Sequence, residues 1–147
     1  MLKGIGWAIL LWGCQSGEPT KTTIFNPNGD SELALLMREM YDDGLLTKQQ
    51  LIEGKKPTIR VEYHQLHTAE ATEPEKVASP LYSTFATSYE AAVQSLLESN
   101  EARPVESYQH MIQACIQCHQ EVCPGPVRKI KKLYLSDSEI AFLTDKE

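Results

Sequence analysis

No apolar run in the 147 residues is convincing as a membrane span: the stretch from Ile5 to Trp12 falls far short of the ~20 residues that crossing a bilayer requires. A basic surplus is missing too. Lys and Arg number 14 against 20 Asp and Glu, a formal charge of −6, so the composition offers none of the cationic surface that phosphate backbones need, and nucleic acid is excluded as a partner. No segment repeats, which argues against a solenoid or propeller and for one domain with one core. Cysteine and histidine are scarce, at four residues each, and their positions carry the information.

Three of those eight residues fall within five positions, in Cys115-Ile116-Gln117-Cys118-His119. On an α-helix, positions i, i+3 and i+4 share a face, so two thiols and an imidazole would address one edge and one face of a flat macrocycle. The pattern C-x-x-C-H is that of a c-type haem attachment site: both thiols form thioethers with the haem vinyl groups, and His119 becomes the proximal iron ligand. Two other chemistries use similar residues. Zinc could recruit Cys123 as a fourth ligand, but adjacent Cys118 and His119 close a tetrahedron badly and no second ligand pair stands elsewhere. A redox C-x-x-C belongs at a helix N-terminus in a βαβ setting, whereas this pair lies well inside a helical run.

The N-terminus points to export. Lys3 supplies a positive n-region, Ile5 to Trp12 a short apolar core, and Gly13 a small residue before Cys14. Leu11-Trp12-Gly13-Cys14 resembles a bacterial lipobox, which implies lipidation of Cys14 and a membrane anchor outside the cytoplasm; an ordinary signal peptide with an unmodified Cys14 is the alternative. Residues 1–13 are then the signal peptide. Residues 14–30, rich in Gly, Pro and turn formers, are a flexible tether. Residues 31–135 form the haem-binding bundle and 136–147 a C-terminal tail of one helical turn or less. Cys123 is left unassigned and reads as a small buried hydrophobe at a helix end.

The periodicity predicts an all-α fold. A first helix starts at Ser31 and carries Leu33, Leu36, Met37, Met40 and Tyr41 on one stripe; Gly44 weakens its middle, and it stops at Gly54. Segment 55–75 fits either a short helix or an extended crossover, with Ile59, Val61 and Tyr63 alternating like a strand. A second long helix, capped by Ser79, buries Tyr82, Phe85, Tyr89, Ala92, Val93 and Leu96. A third begins near Pro104, buries Val105, Tyr108, Ile112 and Cys115, and ends before Pro124-Gly125-Pro126. Arg128, Lys129, Lys131 and Lys132 then form a basic cluster, read as a solvated face that propionates or a partner could use.

Amphipathic helices with C-x-x-C-H on the last long one resemble the cytochrome c′ superfamily, and the Cys-Pro-Gly-Pro continuation resembles that of monohaem lipoproteins. The resemblance covers residues 31–135. It implies an up-down four-helix bundle, or three long helices with an extended crossover, holding one covalent haem c. It also implies two behaviours: single-electron transfer if iron is ligated on both faces, or binding of nitric oxide or carbon monoxide if the sixth position is open. Met37 is the first candidate for that position, with Met40 and His67 as rivals. An enzyme is not expected; a peroxidase would need a distal acid–base pair that only His64 and His67 could supply. The net charge favours a redox partner with a basic docking surface, and a homodimer is compatible with the sequence.

Overall fold

The computed structural model describes residues 30–101 and 104–145. The expected signal peptide, Cys14 and nearly all of the expected tether lie outside the described residues. The fold is all-α, with no strand among the described residues.

Helix α1 spans Glu32–Ile52, and its start is set by Ser31, whose hydroxyl accepts from the Ala34 amide at 3.2 Å. It ends at Gly54, where φ is +70°, a conformation without steric cost only for glycine. Gly44 has a tertiary role that outweighs its low helix propensity. It is buried, a Cβ there would stand 3.1 Å from Leu133 Cδ1, and its carbonyl accepts from the buried Tyr108 hydroxyl at 3.2 Å. The expected weak point is a place where another segment needs the backbone close.

Residues 53–73 take the crossover form. They form irregular chain with turns and bends and one 3₁₀ turn at Tyr63–His67. Two buried polar residues of α1 hold them: Asp43 Oδ2 accepts from the backbone amides of Arg60 at 2.6 Å and Val61 at 3.3 Å, and the Thr47 hydroxyl donates toward the Thr58 carbonyl at 3.1 Å. Ile59 and Val61 alternate as the sequence suggests, but the amides of Arg60 and Val61 meet a carboxylate and the Val61 carbonyl a turn instead of a neighbouring strand. The crossover returns to the start of α1, where Leu33 N–H donates to Glu70 O at 3.0 Å.

Helix α2, Pro74–Val77, is one turn. Helix α3 spans Pro80–Glu98, capped by Ser79 accepting from Tyr82 N–H at 3.2 Å, and buries Tyr82, Ala86, Tyr89, Val93 and Leu96. Helix α4, Val105–Val122, packs along α3 as an antiparallel hairpin, as a six-residue connection dictates. Its buried arc is wider than one stripe and takes in Met111, Ala114 and Ile116 beside Tyr108 and Ile112, because α4 is central: α3 covers one side, α1 and the C-terminal segments the other. Helix α1 also runs antiparallel to α4. Tyr108, near the start of α4, reaches Gly44, whereas His119, near its end, shares a cavity with Met37 near the start of α1.

After Pro124-Gly125-Pro126 the chain folds back over α1 and α4 as α5, Val127–Ile130, and a 3₁₀ turn, Lys131–Leu133, inserting Ile130 and Leu133 into the core. Helix α6, Asp137–Thr144, follows with a complete capping box between Ser136 and Glu139. Leu143 is 1% exposed, so the C-terminal segment is packed helix for two turns. No helix among the described residues is long and apolar enough to cross a membrane.

Candidate haem site

The long stripe of α1 is not fully covered by protein. Leu36 is buried, but Leu33, Met37, Met40 and Tyr41 are only half-buried, because the N-terminal half of the stripe faces a cavity. That cavity has a volume of about 690 Å³ and is walled by α1, α2, the end of α4 and α5. Its apolar lining includes Leu33, Met37, Tyr41, Val77, Tyr82, Val122 and Ile130, and Cys118 and His119 open into it. Volume and lining fall within the usual range for a buried organic ligand. A smaller void of about 40 Å³ shares Met37, Tyr82, Cys118 and His119 with it and is also lined by Cys115 and Met40. The C-x-x-C-H residues therefore line one void together with Met37.

Helix α4 delivers them as the spacing requires, and its end fixes the imidazole. Cys123 ends the helix, and its carbonyl lies 3.1 Å from His119 Nδ1. A carbonyl can only accept, so the ring proton is on Nδ1 and the lone pair on Nε2. Burial also pushes the His119 pKa below its ordinary 6.5, holding the ring neutral as a metal ligand must be. Burial raises both thiols, Cys115 to about 12 and Cys118 to about 11, so they are protonated in the unligated chain. A redox C-x-x-C needs the opposite shift, toward thiolate. No group of three or more His, Cys, Asp or Glu among the described residues could by itself hold a metal ion.

Cys123 departs from the expectation of a buried helix-end hydrophobe: it is exposed, because the helix stops there and Pro124 follows. Its backbone, not its thiol, does the local work. His67 and His64 are directed elsewhere. His64 Nδ1 and His67 Nε2 approach the same Glu90 Oε1 at 2.9 and 3.3 Å, on the outer side of α3, and neither lines the cavity with His119. Met40 reaches only the smaller void, whereas Met37 borders both.

Two lining residues, Arg38 and Lys76, had no signal in the sequence. Arg38, Lys76 and Lys129 stand at the rim: Arg38 is paired with Asp30 at 2.6 Å, Lys76 with Glu73 at 2.6 Å, and Lys129 Nζ lies 4.3 Å from the centre of the Tyr41 ring. Tyr82 is held by donation to Leu66 O at 2.7 Å, which commits its hydroxyl away from the cavity. Lys129 belonged to a recognisable basic cluster; Arg38 and Lys76 are ordinary surface cations until α1 and α2 are brought together.

The donor set suits a flat iron macrocycle: two thiols and an imidazole on one helical face, an apolar slot, a thioether opposite, and cations at the mouth for two carboxylates. No family model matches the chain, and neither the curated proteins nor the solved structures give a match.

Proposed function

We propose that this chain is an exported c-type haem protein that carries single electrons, with the haem bound covalently to Cys115 and Cys118 and His119 as proximal ligand. The observation that carries the reading is the joint opening of Cys118, His119 and Met37 into a 690 Å³ apolar cavity, with His119 already oriented by the Cys123 carbonyl. A half-covered apolar stripe on α1 supports it, since that surface is stable in water only at a cost of about 25 cal/mol per Å² unless something apolar covers it. When bound, haem supplies a one-electron couple at iron. The chain's own contribution is to hold the imidazole neutral and aimed, exclude water with Leu33, Val77, Val122 and Ile130, and offer Met37 on the other face. A four-helix cytochrome c′-like architecture is the finer reading of the fold, with residues 53–73 taking the place of one long helix. Covalent attachment implies maturation outside the cytoplasm, in keeping with the signal-like N-terminus and the lipobox-like Cys14. Gas binding at an open sixth position is the alternative, favoured by the room left beside Met37 in the same cavity.

The test is attachment. Wild-type protein matured in a periplasm should keep its haem through acidified organic solvent, and the Cys115→Ala/Cys118→Ala variant should release it, because only an iron–imidazole bond would remain. Solvent-resistant haem in the double variant, or none in the wild type, would sink the proposal.

A further inference from the structure

The overall charge of −6 favours a basic partner, but the charges are unevenly distributed. Arg38, Lys48, Lys55, Arg60 and Lys76 each hold a carboxylate. Arg128, Lys129, Lys131 and Lys132 form no ion pair among the described residues, and no Asp or Glu occurs between Cys123 and Ser136. Ile130 and Leu133, 7% and 3% exposed, anchor this segment in the core, so its backbone is fixed and the four cations stand on the outer side. Pro126, Lys129 and Ile130 are at the same time a wall of the cavity. This concentrated basic face thus borders the place where the redox group is proposed to lie.

We propose that this face, Arg128, Lys129, Lys131 and Lys132, docks an acidic patch on the protein that exchanges electrons with the haem. The proposal rests on the haem reading. At physiological salt the screening length is about 8 Å, so an approaching protein responds to the cations it meets and not to carboxylates dispersed on far sides of the bundle. Such local complementarity raises encounter rates by about 10- to 1000-fold. An anionic bilayer would also be attracted, but it would make no use of a cavity wall built into the same segment; electron exchange needs that adjacency.

The experiment uses the haem-loaded protein and two small oxidants of opposite charge, ferricyanide and tris(phenanthroline)cobalt(III). Ionic strength is raised from about 0.01 to about 1 M, over which screening shortens from about 30 to about 3 Å. The second-order rate with ferricyanide should fall at least about tenfold, as attraction is screened, and the rate with the cobalt complex should rise. In Arg128→Gln/Lys131→Gln/Lys132→Gln, which leaves the cavity wall intact, the ferricyanide trend should reverse. A wild-type ferricyanide rate that rises with salt overturns the proposal, because net charge would then govern the encounter. A binding arm is independent of the haem: hexaglutamate should shift backbone amides centred on 126–133 in wild type and not in the triple variant. If the purified protein holds no covalent haem, the haem reading has failed, and this titration alone decides whether the face binds acidic groups. Sedimentation with phosphatidylglycerol vesicles, without any response to hexaglutamate, would give the face to the membrane and overturn the protein-docking assignment.

Discussion

A histidine ligates a metal through the lone pair of one ring nitrogen and is held in place by a hydrogen bond from the other, and a carbonyl four residues on gives His119 both. The residue facing it decides what the site does. Met37 borders both voids beside His119, Met40 only the smaller, and His67 neither, so Met37 is the distal ligand we propose. Met37→Ala should convert a low-spin ferric spectrum to high-spin and open the ferrous protein to carbon monoxide, while His67→Ala should leave both unchanged. The opposite pattern would reassign the ligand, and a high-spin wild type would favour gas binding. Gly44 is the other single residue on which much depends. Alanine in a helix interior normally gains about 1 kcal/mol over glycine, but here its Cβ would meet Leu133 at 3.1 Å, and overpacking costs about 1–3 kcal/mol. Leu133 cannot readily yield, since its carbonyl accepts from Tyr108 at 2.8 Å and its side chain is 3% exposed. Gly44→Ala should therefore lower stability by about 1 kcal/mol in urea unfolding, and Leu133→Val should recover part of it in the double variant; a more stable single variant would contradict this packing account.

At the level of elements, α1 and α3 combine a serine cap with an apolar stripe, whereas α4 forms on its stripe without a side-chain cap. Ser31, Ser79 and Ser136 each accept from an amide three residues on, and each begins a helix. The crossover has no such internal logic. Its Ile59, Val61 and Tyr63 alternate as a strand would, yet with no partner strand its amides would be left unpaired without help from α1. Asp43 gives that help, accepting from two consecutive amides while 5% exposed. Its contact with Arg60 Nε at 3.3 Å adds little, because the Arg60 side chain is 70% exposed. Asp43→Ala should cost about 2–3 kcal/mol, mostly from orphaned amides, and Asp43→Asn about half of that, both read from denaturation midpoints. Hydrogen exchange should quicken first at Arg60 and Val61. Unchanged exchange there in Asp43→Ala would show that the crossover is held by something else.

For the molecule as a whole, three long helices leave one end of the bundle incompletely filled, and α2, α5 and the proline turn close the gap into a slot instead of a packed core. Placement in the cell depends on the far N-terminus. If Cys14 is acylated, wild-type protein should partition with membranes, each buried methylene contributing about 0.8 kcal/mol, and Cys14→Ala should move it to the soluble periplasmic fraction or arrest its processing. Mass spectrometry of the mature N-terminus checks this directly: an unmodified Cys14 on a wholly soluble protein excludes the anchor.

The sequence by itself determined what depends on near neighbours. The three long helices and the serine caps of α1 and α3 follow from 3.6-residue periodicity and local hydrogen bonding, and the grouping of Cys115, Cys118 and His119 on one face follows from helical geometry alone. What only the tertiary structure decided involves groups far apart in the chain. Asp43 and Thr47 look like surface polar residues of a helix until Thr58, Arg60 and Val61 are brought against them. Gly44 looks like a defect until Leu133 and Tyr108 need its space and its carbonyl. The placement of Met37 beside His119, of His67 beside Glu90, and of Arg38, Lys76 and Lys129 around one mouth was likewise decided by packing. Local pattern fixes which side of a helix is apolar; what covers that side depends on how the other helices fit around it, and for part of α1 none of them does.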